Sequence, residues 1–100
     1  MASSPAEGLP SAVRAQFMAL RQRFLAGLPQ RWQEIEGAPD ATALHSALHR
    51  LAGSAGSYGC ERLGECVQAA QLLATGPDDA ARAQALRLLQ EEMLRLQAAP

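Results

Sequence analysis

The scarcity of β-branched residues constrains this chain more than any other feature. Two Val, one Ile and two Thr stand against twenty-one Ala and fifteen Leu in 100 residues. Strands draw on β-branched and aromatic side chains, whereas Ala and Leu are among the strongest helix formers. Aromatic residues add only 4%. Apolar residues make up 48%, enough to fill one core of ordinary domain size. The chain therefore reads as all-α.

Periodicity divides it into helices. Residues 1–10, "MASSPAEGLP", carry two Pro, one Gly and two Ser and read as a mobile N-terminal arm. The helical domain is predicted over residues 11–98. Ser11 can cap a first helix, on which Val13, Phe17, Leu20, Phe24 and Leu28 form one apolar stripe. Pro29 should end or kink it, and the pattern resumes through Trp32 and Ile35. Trp32, Phe17 and Phe24 read as a core group. "GAPD", Gly37 to Asp40, is a turn with Asp40 placed as the next N-cap.

A third segment from Ala41 turns Leu44, Leu48, Leu51, Ala55 and Tyr58 inward. A fourth, from Glu61 to about Ala74, turns in Leu63, Val67 and Ala70. "TGPDD" breaks the chain again, with Asp78 and Asp79 at the positive end of the following helix. That last helix carries Leu86, Leu89, Met93 and Leu96 at bundle spacing. Short connections make neighbouring helices antiparallel. The expected architecture is an antiparallel four-helix bundle with an additional N-terminal helical segment, which either extends one helix or caps the bundle.

Charge excludes several functions. The net charge is −1 with no basic stripe, which argues against nucleic acid as a partner. No apolar run reaches the length of a membrane span, and the N-terminus lacks a basic region followed by an apolar one. A cytoplasmic protein without membrane contact of its own is expected. Cys60 and Cys66 lie six apart on different helix faces, so two reduced thiols are expected rather than a disulfide. There is no phosphate-cradling Gly-rich loop and no acidic cluster for Mg²⁺.

The stretch "LHRLAGSAGSYG", Leu48 to Gly59, breaks the compositional rule. Each helix-interior Gly costs about 1 kcal/mol relative to Ala, and this chain uses Ala freely. At 100° per residue, Leu44, Leu48, Leu51 and Ala55 share one face, and His49 lies on the opposite, solvent side. Gly53 and Gly56 fall about 40° and 20° from His49, one and two turns along. They share its stripe and leave bare backbone beside the imidazole, open to a partner surface. Gly59 reads as the residue that ends the helix. His45, one turn before His49, makes an i, i+4 pair, but no third ligand stands at a useful spacing, so no metal site is assigned. Ser54 and Ser57 read as boundary residues of the helix.

His49 to Gly59, "HRLAGSAGSYG", closely resembles the signature of histidine-containing phosphotransfer (HPt) domains, His-x-Leu-Lys-Gly-Ser with a further Gly ten residues after the His. His49 matches the phospho-accepting histidine, Leu51 the core leucine, Gly53 and Ser54 the Gly-Ser pair, and Gly59 the distal glycine. With the helix order around it, the resemblance extends over roughly residues 12–97. One position departs: where the family often has Lys, this chain has Ala52. Arg50 is the nearest cation in sequence, about 100° around the helix.

The resemblance implies a polar side chain on the following helix against the imidazole. By spacing this is Gln71, with Gln68 second. It also implies a docking surface around Ala52, Gly53 and Gly56. The implied function is a phosphorelay step. His49 would accept a phosphoryl group from a receiver-domain phospho-aspartate and pass it to another receiver. The chain needs no cofactor; Mg²⁺ belongs to the receiver. The implied partners are response-regulator receiver domains and a hybrid sensor histidine kinase, with the domain itself monomeric and without kinase activity. A free imidazole titrates near about 6.5, so an exposed one is mostly neutral and nucleophilic at pH 7. Two alternatives stand beside this reading. One is an interaction module that docks receivers without chemistry. The other is a chemotaxis-kinase-type phosphorylation module.

Overall fold

The computed structural model describes residues 8–99. Most of the arm predicted over residues 1–10 therefore lies outside the described residues. Five helices follow one another: α1 (Ser11–Ala26), α2 (Leu28–Glu36), α3 (Ala41–Ser57), α4 (Glu61–Leu73) and α5 (Asp79–Ala98). No strand occurs among the described residues, as the composition requires.

Helices α2, α3, α4 and α5 pack in a ring, each against two of the others. Their core is built from Leu28, Leu48, Leu51, Leu63, Val67, Leu89 and Met93, all at or near zero exposure. Small residues complete it: Ala55, Ala70 and Ala74 are fully buried or nearly so, which lets α3, α4 and α5 approach closely. The inward positions expected of the third and fourth segments are filled as the periodicity predicts, except Tyr58.

The first segment resolves into two helices joined by one residue. Gly27 keeps near-helical dihedrals, φ −86° and ψ −2°, and its N–H donates to the carbonyls of Arg23 and Phe24. Pro29 sits in the first turn of α2, where a missing N–H costs nothing. The result is a nearly continuous rod whose second part, α2, belongs to the bundle. The first part, α1, reaches beyond it and contributes to an elongated outline of 47 × 27 × 22 Å.

Three expectations about α1 are corrected. Its N-cap is Pro10, and no side chain caps the first turn, so Ser11 does not serve. Val13 and Leu20 are exposed, because α1 overhangs the ring and little packs against that end of its stripe. The aromatic residues do not form one group. Phe17 and Phe24 pack on Tyr58, with centroids 5.9 and 5.1 Å away, whereas Trp32 donates to Glu36, packs half-buried against the core and lines a groove with Ile35, Leu44 and Leu86. Tyr58 itself is the C-cap of α3 rather than a member of its inward stripe.

Helix ends are set by the residues the sequence points to. The Asp40 carboxylate accepts from the Ala43 N–H at 2.8 Å, and Asp78 accepts from the Ala81 N–H at 2.9 Å. Gly59 takes φ +71°, the left-handed conformation that Gly adopts without penalty. The Cys60 N–H then reaches the Ala55 carbonyl and the Gly59 N–H reaches the Gly56 carbonyl, closing α3 in a Schellman motif. This tight turn places α4 directly alongside α3.

Candidate functional site

His49 lies in the middle of α3, on a helix whose opposite face is locked into the core by Leu44, Ala47, Leu48, Leu51 and Ala55. That anchoring fixes the direction of the side chain, and the imidazole is exposed. Across the α3–α4 seam stands Gln71. The nitrogen of its carboxamide, Nε2, lies 3.3 Å from His49 Nδ1 and also 3.3 Å from His45 Nε2. The two imidazoles lie nearly parallel, 7° between planes and 6.5 Å between centroids, with the amide bridging them. No protein group among the described residues hydrogen-bonds His49 Nε2. One ring nitrogen is thus held and the other is presented.

The remaining residues singled out from sequence divide between two flanks. Gln68 is exposed and lines a groove on the α4 side together with Ala52, Gly56 and Gly64. Arg50 turns the other way. Its Nη2 pairs with Glu34 of α2 at 3.6 Å, both side chains more than half exposed, in a groove that Gly53, Ser54, Arg23 and Arg31 also line. There Arg31 donates to Ser54 Oγ at 3.3 Å and lies over the Phe24 ring. Ser54 is thereby a half-buried boundary residue, whereas Ser57 is exposed and donates to the Gly53 carbonyl.

The glycines of this face have no internal reason to be glycine. A Cβ added at Gly53 or at Gly56 would meet nothing within 4 Å. The same holds for Gly64, which the sequence reading passed over. It stands four residues before Gln68 and seven before Gln71, on one face of α4. That i, i+4, i+7 pattern was the available signal.

The other side of α4 carries a second polar cluster. Glu92 of α5 is 5% exposed, yet its carboxylate is fully engaged. Arg95 Nε donates to one oxygen at 2.7 Å and its Nη2 donates to the other, while Arg62 of α4 lies 3.6 Å away. The Arg95 hydrogen bonds hold the Glu92 carboxyl below the usual glutamate range, against the opposing effect of burial. Burial, with Glu92 nearby, pushes the Cys66 thiol up, so it is not poised as a nucleophile. Cys60 and Cys66 are both free thiols.

No helix among the described residues is long and apolar enough to cross a membrane. Neither the curated proteins nor the solved structures compared with this chain returned a match. The family model for the Hpt domain matches residues 19–99, which takes in all of α2 to α5 and the second half of α1. An exposed mid-helix histidine on a helical bundle and a family match over four-fifths of the chain agree. The chain belongs to the Hpt domain family, whose members serve phosphotransfer in two-component systems and work with receiver domains.

Proposed function

We propose that His49 is the phospho-accepting residue of a phosphorelay intermediate, taking its phosphoryl group from one receiver domain and delivering it to another. The observation that carries this reading is the asymmetry of the exposed imidazole: Nδ1 lies against the Gln71 amide, while Nε2 has no hydrogen-bond partner among the described residues. With the Gln71 amide turned carbonyl-inward and the His49 proton on Nδ1, the Nε2 lone pair attacks phosphorus of the receiver's phospho-aspartate. The N–P bond forms, the P–O bond to aspartate breaks, and the carboxylate leaves with the electron pair. Return transfer reverses these steps on a second receiver. The receiver supplies Mg²⁺ to neutralise phosphoryl charge, so this chain contributes nucleophile and position.

Close approach of two proteins is the geometric requirement. Ala52, Gly53 and Gly56 give a low surface beside His49, and Gly64 extends it onto α4. Arg50 is the cation available in place of the absent Lys. Its exposed ion pair with Glu34 is worth at most about 1 kcal/mol, so a phosphoryl group can compete for it. A hybrid sensor kinase is the proposed upstream partner, with the domain monomeric in the cytoplasm.

The test is incubation with a phosphorylated receiver, followed by mapping of the label. An acid-labile, alkali-stable phosphate on His49, abolished by His49→Gln with helicity intact, is the expected result. Receiver binding without label would replace this reading with the docking module, which Ala52 favours. Label only from a kinase catalytic domain would favour the chemotaxis-type module.

A further inference from the structure

The bridging amide has a consequence for the proton on His49. A carboxamide nitrogen only donates and a carboxamide oxygen only accepts. In this structure the nitrogen faces inward, 3.3 Å from both His45 Nε2 and His49 Nδ1, and the oxygen takes the same place and meets both rings when the amide turns over. The two ends of the amide are nearly the same size, so it can turn over in place.

With NH₂ inward, both ring nitrogens must accept. His49 then carries its proton on Nε2, the outward nitrogen, and has no lone pair there. With C=O inward, both must donate. His49 then carries its proton on Nδ1, and the Nε2 lone pair is free. Mixed states leave one ring nitrogen facing a group that cannot bond it, which is costly at the part-buried His45 contact and less so at the exposed His49 contact.

We infer that His45 is a positioning residue that, through the Gln71 amide, sets which nitrogen of His49 carries the proton. When His45 donates from Nε2, the amide carbonyl is held inward and His49 is held in the tautomer with a free Nε2. The same carbonyl accepts from Nδ1–H after phosphorylation, when the ring bears positive charge. The significance of this coupling for transfer rests on the phosphotransfer reading above; the coupling itself concerns the unmodified chain.

The experiment is ¹⁵N–¹H correlation spectroscopy of the histidine rings in the full, unphosphorylated chain at a pH where both are neutral. The wild-type protein is expected to show His49 with its proton on Nδ1 and His45 with its proton on Nε2. In His45→Phe, which keeps a flat ring but cannot donate, His49 is expected to shift toward the Nε2–H form. Transfer from a phosphorylated receiver should then slow about tenfold, the effect of one hydrogen bond. His45→Gln, whose amide can donate, should restore both.

The same tautomer on both rings of the wild-type chain, both Nε2–H or both Nδ1–H, which no one orientation of the amide can bond, overturns the proposal without any variant. So does an unchanged His49 tautomer in a folded His45→Phe. Coupled tautomers in a chain that takes no label would leave this inference standing and remove the phosphotransfer reading. Normal transfer with uncoupled tautomers would do the reverse.

Discussion

Helix α4 shows two different ways of placing polar groups. Toward α5, Arg62 reaches the buried Glu92, whose oxygens Arg95 also fills; every bond there is internal. Toward α3, Gln71 holds one nitrogen of an exposed histidine, and Gly64, Gly56 and Gly53 leave space that no side chain among the described residues uses. The first face is explained by stability. The second is not, since Ala at each glycine would fit and would favour the helix. On the function proposed above, a face that forgoes available stability without internal compensation serves a partner.

That contrast can be broken by substitution. The largest effect is expected in the core beneath the site. Leu48→Ala should cost about 2–5 kcal/mol in chemical denaturation, because Leu48 is fully buried. His49→Gln, next in sequence but exposed, should stay within about 0.5 kcal/mol. Comparable losses at both positions would mean that His49 is structural.

Glu92→Gln comes second, at about 1–2 kcal/mol of destabilisation. The loss stays moderate because Arg62 and Arg95 are more than half exposed and return to water. The pH dependence follows in sign. Glu92 titrates below its ordinary range in the folded protein, so its contribution is present above the ordinary glutamate pKa and lost as pH falls through the folded one. Acid denaturation curves of the wild-type protein should therefore fall more steeply than those of Glu92→Gln. Parallel curves would show that the carboxylate contributes nothing.

Third, Gly53→Ala should stabilise the fold by about 1 kcal/mol, since a Cβ there meets nothing. Gly53→Gln should keep the helix content while slowing transfer from a receiver. Unaffected transfer would sever the glycines from docking. The smallest effect belongs to Arg50→Gln, which should change stability by less than about 1 kcal/mol because its pair with Glu34 is exposed. Measured loss of phosphohistidine lifetime in that variant would identify Arg50 as the stand-in for the absent Lys.

Much of the fold was legible because it is written locally. Asp40 and Gly59 mark the two ends of α3 through their own conformational chemistry. The leucine spacing of α3 and α4 gives their buried faces without knowledge of the partner. The stripe on α1 misled for the complementary reason: periodicity identifies a face, but not how much covers it, and Val13 and Leu20 stay nearly half exposed. At the site, His49 and Gln71 could be matched by spacing. The double contact of Gln71 with His45 could not, since it depends on how far α4 is slid along α3. Glu92 was invisible for the same reason. An acidic residue in a helix reads as solvated until the register brings Arg62 over it.

The most direct measurement is the site of label after transfer from a phosphorylated receiver, read by fragmentation mass spectrometry under alkaline conditions. One phosphoryl group on His49, absent from His49→Gln, is the predicted result. Label on His45, Ser54 or Ser57 with His49 unmodified would contradict the account.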